Sequence, residues 1–271
     1  MIKLENVSYH YKKESKILKE INLEIKEQET VVIMGKNGSG KSTLGKVISG
    51  IIKPKSGKIL LDNLDMTDKK NKDEIRKKIG IVFQNPENQI IFNKIEDELS
   101  FALKDLKKEE IEKRIKQSLK KVKMEENIEQ DLYELSLGQK QRIVISEVIA
   151  RLPKYIVFDE PTTMIDSKGK EKIYKIVEDL KKEHYTIIYI TNMAEEIFLA
   201  DRIIILEDGK IVEEIKKQEL LEKIELFEKY DIKVPMQIEL LQELKKHGIE
   251  INLESYSVQE LANKLKEIIK K

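Results

Sequence analysis

The residues Gly35-Lys36-Asn37-Gly38-Ser39-Gly40-Lys41-Ser42 fit G-x-x-x-x-G-K-[ST], a spacing whose chemistry is the cradling of phosphate. Backbone N–H groups converging at the start of a helix attract an anion through unpaired donors and the helix dipole. Lys41 is placed to reach the β- and γ-phosphates, the Ser42 hydroxyl to hold Mg²⁺, and Thr43 to touch the α-phosphate. The context fits as well. Thr30 to Met34 is a short apolar, β-branched run that predicts a buried strand, and Lys41 to Ser49 predicts a helix with Leu44, Val47 and Ile48 on one face. Taken alone, the loop implies binding of a nucleoside triphosphate and nothing more.

Three other places could do chemistry on that ligand. The apolar run Ile79-Gly80-Ile81-Val82-Phe83 ends in Gln84, a neutral amide that can touch a metal or its water, although such a residue is more often an ordinary loop glutamine. Tyr155 to Phe158 predicts a strand ending in Asp159 and Glu160. There Asp159 suits Mg²⁺, through water, and Glu160 can orient or deprotonate an attacking water. Leu135-Ser136-Leu137-Gly138-Gln139 opens a helix over Lys140 to Arg151, with Ser136 as N-cap, which makes a second anion site. One nucleotide rarely needs two such sites, but two copies of the chain facing each other would use both. Tyr11, at the end of the first strand, could stack on an adenine ring, with Tyr9 the rival if the register is off by one pleat.

These residues need a scaffold, and the chain is long enough for one. Its 271 residues allow one large domain and a small appendage. Residues 2–11 and 17–26 alternate as half-buried strands, while 95–130 reads as helical, an insertion between strands. A helix is predicted near 167–182, a strand at Thr186 to Ile190 ending at Thr191-Asn192-Met193, and a hairpin from Arg202 to Ile215. The rest reads as helical: Pro235 opens one helix, Gly248 closes it, and Ser257 with Glu260 forms a capping box for the last. With 51 Lys+Arg against 50 Asp+Glu, the net charge of +1 gives no sign of a nucleic-acid surface. The absence of cysteine excludes disulfides and thiolate metal sites. No apolar run is long enough to span a membrane, and the first residues read as a strand rather than a signal peptide.

In this order the phosphate loop, Gln84, Leu135–Gln139, Asp159-Glu160 and the Asp166 loop resemble the ATP-binding-cassette (ABC) ATPases over about residues 2–215. A finer resemblance is to the ATPase subunits of energy-coupling factor (ECF) transporters. It rests on Val82 to Gln89 and on the tail from Ile232-Lys233-Val234-Pro235 through Leu240-Leu241 to His247-Gly248-Ile249. The resemblance implies an α/β fold: a parallel-sheet core with an antiparallel β subdomain and a helical insertion at about 90–150, all within an ABC domain of 1–215, followed by a C-terminal helical domain of 216–271. It implies ATP and Mg²⁺ as cofactors. It implies a head-to-tail dimer with a second ABC ATPase subunit, alike or different, in which Ser136, Gly138 and Gln139 reach the partner's ATP. Tyr11 would stack on adenine, Glu160 would be the catalytic base, and Asp166 would cross the dimer interface. Further partners would be a transmembrane coupling subunit and a substrate-binding membrane subunit for a vitamin or transition-metal ion, with this chain on the cytoplasmic face of the membrane. Nucleic acid is not an expected partner: there is no second cassette and no coiled-coil insertion.

Two positions depart from the pattern. Asn192 stands where the family has a histidine on the γ-phosphate, and Leu137 where the signature has glycine. An asparagine can donate to phosphate but cannot carry a proton near neutral pH. These departures raise the expectation of slow hydrolysis by this chain alone and more with a paralogous partner. In the alternative reading, a degenerate, nucleotide-gated subunit binds ATP, dimerises and hardly hydrolyses.

Overall fold

The computed structural model describes residues 1–12, 16–251, 253 and 258–269. Ser257, expected as a helix cap, lies outside them. The strands are β1 Ile2–His10, β2 Lys16–Ile25, β3 Thr30–Met34, β4 Ser56–Leu61, β5 Leu64–Asp65, β6 Ile79–Val82, β7 Tyr155–Asp159, β8 Thr186–Ile190, β9 Arg202–Glu207 and β10 Lys210–Lys216. The helices are α1 Lys41–Ile48, α2 Lys72–Lys78, α3 Ile95–Ala102, α4 Lys108–Lys121, α5 Leu137–Ala150, α6 Ser167–Lys182, α7 Glu225–Lys229, α8 Met236–Lys246 and α9 Val258–Ile269.

Two sheets divide the strands. One is antiparallel, in the order β2-β1-β4-β5; the other runs β10-β9-β3-β8-β7-β6. In the second sheet β9, β3, β8, β7 and β6 are parallel, and β10 pairs antiparallel to β9 as the hairpin Glu207-Asp208-Gly209 predicts. Every residue of β3, β7 and β8 is buried, as expected for parallel strands covered on both faces. The pleat sorts their side chains between two cores. Val31, Ile33, Tyr155, Val157, Ile188 and Ile190 join α1 and the antiparallel sheet. Val32, Met34, Ile156, Phe158, Ile187 and Tyr189 join α5, α6, the helical insertion and the tail. Gly45 of α1 permits close approach: a Cβ there would lie 2.5 Å from Ile190 Cδ1.

The insertion is less continuous than its periodicity suggests. The helical pattern over 95–130 breaks between α3 and α4 and again after Lys121, where Lys123 takes φ +55° and short 3₁₀ turns follow. Arg142 of α5 explains why the break is stable, since its Nη1 donates to Val122 O at 2.9 Å and Lys123 O at 3.0 Å. The carbonyls just past the end of α4 thus find a cationic donor. Pro235 is the N-cap of α8, and Gly248, at φ +79°, follows its end. Phe227, Ile238, Leu241 and Leu261 of the tail are buried in the same core as Ile203 and Ile215.

Glu147 of α5 lines a cavity of about 740 Å³ bounded by α5, α2, β6 and the end of α1. Its Oε2 is buried without a partner. Burial, and then the nearby Glu98 carboxylate, push its carboxyl up to about 7 against the pull of Arg151. The folded state therefore holds this proton more tightly than the open chain. The stability it contributes is full below about pH 4.5 and is lost as pH rises through about 7. Glu147→Gln, which fixes the neutral form, should raise the melting temperature by several degrees at pH 8, for a gain of up to ~3 kcal/mol, and change little at pH 4. Thermal melts of both proteins across that range check this.

Candidate functional site

The phosphate loop, Gln84, Asp159-Glu160 and Asn192 gather at the carboxyl ends of four strands, β3, β8, β7 and β6, that are neighbours in the sheet. This is where an open parallel sheet binds its ligand. The phosphate loop leaves β3 at Gly35, whose φ is +150° and where a Cβ would meet Leu206 O at 2.0 Å. Gly40, at φ +104°, is the N-cap of α1 and lets the loop turn into the helix. Inside the loop the buried Lys41 ammonium donates to Gly35 O at 2.7 Å and Lys36 O at 3.0 Å. Burial pushes its pKa down, opposed by the carboxylates of Glu160 and Asp159. Ser39 and Thr43 are also buried, and Ser39 Oγ has no partner.

Asp159, the last residue of β7, is buried, and its Oδ1 lacks a hydrogen-bond partner. Burial raises its carboxyl above the usual range, the Ser42 hydroxyl pulls it back, and Glu160 adds to the rise. An orphaned carboxylate oxygen beside a serine hydroxyl and an ammonium is an incomplete set of contacts. Its oxygens suit a hard dication that also takes phosphate oxygens. Among the described residues no group of three or more His, Cys, Asp or Glu could hold a metal without such help.

Glu160 takes φ +50°, a left-handed conformation that is uncommon for a side chain of this size. Its N–H donates to Ile190 O at 2.9 Å, which fastens the turn to β8. The carboxylate accepts from Gln84 Nε2 at 3.3 Å and from Thr163 Oγ1 at 3.2 Å. Gln84 and Glu160, far apart in sequence, thus meet, a contact the sequence does not predict. Thr163 was not foreseen as part of the site; a hydroxyl three residues past a carboxylate in a turn is the signal that could have found it. Asn192, at the exit of β8, donates from Nδ2 to Asn37 Oδ1 at 3.3 Å, so the atypical residue still reaches the phosphate loop. Beside this pair lies a cavity of about 430 Å³ reaching from Gly35 to the tail, where Lys36 Nζ stands 3.6 Å from Asp231 Oδ2.

The two tyrosines are resolved by register. Tyr9 is buried in the core, whereas Tyr11, just past β1, is 59% exposed and meets Tyr9 edge-on at 5.0 Å. Tyr11 is therefore the one with a ring face to offer.

The signature sits on the start of α5. Ser136 Oγ accepts from the Gln139 N–H at 3.3 Å, and Gln139 Oε1 accepts from the Ser136 N–H at 3.0 Å. Gln139 thus closes a capping box, a role the sequence reading did not give it. Ser136 is exposed and Leu137 half-buried in the first turn. Gly138 lies against the Asp166 loop: a Cβ there would be 3.2 Å from Ile165 Cγ2. Asp166 caps α6 through the Gly169 N–H at 2.7 Å. Among the described residues, no hydrogen bond joins Ser136, Gly138 or Gln139 to the phosphate loop of the same chain.

Comparison with known proteins agrees with this geometry. The family model described as ABC transporter matches residues 18–163. An energy-coupling factor transporter ATP-binding protein EcfA1 of Ligilactobacillus salivarius is 38% identical, over 97% of this chain and 94% of the relative. That of Caldanaerobacter subterraneus is also 38% identical, over 96% and 97%. Among solved structures, cbiO1 from Clostridium perfringens, part of the ABC transporter complex cbiONQ, superposes with a TM-score of 0.76 at 33% identity, over 89% of this chain and 98% of that one. The cassette MJ0796, in a dimeric post-hydrolysis state with ADP and Pi, gives a TM-score of 0.72 at 34% identity, over 80% and 98%. The chain belongs to the ABC transporter family, among the ATP-binding proteins of energy-coupling factor transporters.

Proposed function

We propose that this chain is the ATP-hydrolysing subunit of an ECF importer and that it drives uptake of a vitamin or metal ion from the cytoplasmic face of the cell membrane. The observation that carries the chemistry is the unpartnered Asp159 Oδ1, set beside Lys41, with Glu160 held in a left-handed turn by Gln84 and Thr163. In this reading Lys41 exchanges the carbonyls of Gly35 and Lys36 for phosphate oxygens. Ser42 and Asp159, the latter through water, would hold Mg²⁺, which would supply positive charge against the phosphates. Gln84 borders that site. Glu160 takes the proton of the attacking water, and Asn192 donates to the γ-phosphate. Tyr11 stacks on adenine.

Among the described residues Ser136, Gly138 and Gln139 make no hydrogen bond to the phosphate loop of their own chain, which supports a head-to-tail pair with a second cassette, each covering the other's phosphate loop. Asp166 lies at that same edge. No helix among the described residues is long and apolar enough to cross a membrane. A transmembrane coupling subunit and a membrane-embedded substrate-binding subunit would therefore supply the path and the choice of cargo.

The degenerate-subunit reading has no support. The relatives are named as transporter ATP-binding proteins over nearly their whole length, and Asn192 keeps a donor at the phosphate loop. Leu137 stays on the outer first turn of α5 without displacing the capping box.

Glu160→Gln should lower steady-state ATP turnover by at least about a hundredfold while leaving ATP binding intact, as read by turnover assays and nucleotide titration. Asn192→Ala, which removes the donor, should lower kcat roughly a hundredfold, and Asn192→His should restore most of it. Affinity capture of the tagged chain from solubilised membranes should recover a second cassette protein and integral membrane proteins together. Recovery of the chain alone, with full turnover, would overturn the importer reading.

A further inference from the structure

Strand β6 stops at Val82, and two glutamine side chains take over the backbone of Phe83, the residue just ahead of Gln84. Gln89 folds back, so that its Oε1 accepts from the Phe83 N–H at 2.9 Å and its Nε2 donates to Ile81 O at 3.1 Å. From the other side, Gln141 Nε2 donates to the Phe83 carbonyl at 2.9 Å. Gln141 belongs to α5, the helix that the signature opens. It is wholly buried, and its Oε1 has no partner. An unmatched buried amide oxygen costs free energy that leucine in the same space would avoid. Filling the core therefore does not account for the residue, whereas its bond to Phe83 does. A second link runs alongside: Lys140 Nζ lies 2.8 Å from Glu87 Oε1. The signature helix is thus joined at two points to the segment that carries Gln84, and Gln84 reaches Glu160.

We propose that Gln141 is a positioning residue for hydrolysis: by holding the Phe83 carbonyl it fixes where Gln84 stands relative to Glu160 and Asp159, and it makes the signature helix and the glutamine segment shift as one. The proposal rests on the reading of Gln84 as the amide bordering the Mg²⁺ and water site. An approach of a partner's nucleotide to Ser136 would then be felt at Gln84 of the same chain through α5, without any contact between Ser136 and Gln84.

The test is a double-mutant cycle on ATP turnover by the full chain in its purified complex, with Mg²⁺ titrated in each variant. Q141L should lower kcat about tenfold, because a displaced catalytic neighbour costs rate. It should leave KM for ATP within about twofold and raise the Mg²⁺ concentration needed for half-maximal rate. Q84A should do the same, and Q84A/Q141L should be no slower than Q84A alone. Penalties that multiply in the double variant would overturn the proposal, as would a Q141L enzyme with normal kcat and normal Mg²⁺ dependence. Should Q141L not fold, Q141M replaces it in the cycle; failure of both to fold makes Gln141 a structural residue and also overturns the proposal. A Q84A enzyme with unchanged rate is a different result: it removes the reading of Gln84 on which the proposal stands.

Discussion

Everything at the site depends on keeping charge at the dry end of an apolar sheet. Lys41 is 4% exposed and Asp159 5%, and both sit where strands of valine and isoleucine run out. An isolated charge there would be costly, so the fold answers with local partners: loop carbonyls for the ammonium and the Ser42 hydroxyl for the carboxylate. The answer is incomplete by design of the geometry, because Asp159 Oδ1 and Ser39 Oγ stay unmatched. In the proposed function a ligand carrying phosphate and a dication would complete the set, drawing on groups that are already desolvated.

The same sheet explains how residues distant in sequence share one chemistry. The parallel strands end at the same edge, and four of the five exits carry a residue of the proposed site: Gly35 after β3, Gln84 beyond β6, Glu160 after β7 and Asn192 after β8. Alternation within each strand then sends one row of side chains to α1 and the antiparallel sheet, the other to α5 and α6. The exits are held in register by packing on both faces, so small shifts of either layer reach the site.

Much of this is legible in the sequence. The apolar runs at Thr30–Met34, Tyr155–Asp159 and Thr186–Ile190 are the strands they promised, because fully buried parallel strands leave a continuous apolar signature. The phosphate loop between β3 and α1, and the two carboxylates at the end of β7, stand in the structure where the sequence pattern puts them, because their residue types and spacing mark strand ends. What sequence could not show was contact made by side chains that look ordinary in a list. Gln89 and Gln141 read as polar helix or loop residues, yet one folds onto Phe83 and the other is buried against it. Gln139 was assigned to a ligand and also closes a capping box. The break at Lys123 was invisible to periodicity because Arg142, a residue of the next helix, is what makes it affordable. Such contacts depend on tertiary closeness, which no local pattern encodes.

The pair formed by Lys36 of the phosphate loop and Asp231 of the tail has a consequence of its own. Its side chains are 52% and 85% exposed at a separation of 3.6 Å, so water and mobile ions compete for both partners and the attraction amounts to about 0–1 kcal/mol. Moving from dilute buffer to brine shortens the electrostatic reach from about 30 Å to a few ångströms. The grip between the tail and the phosphate loop is therefore a quantity set by the medium, and the tail will feel the ionic composition around it.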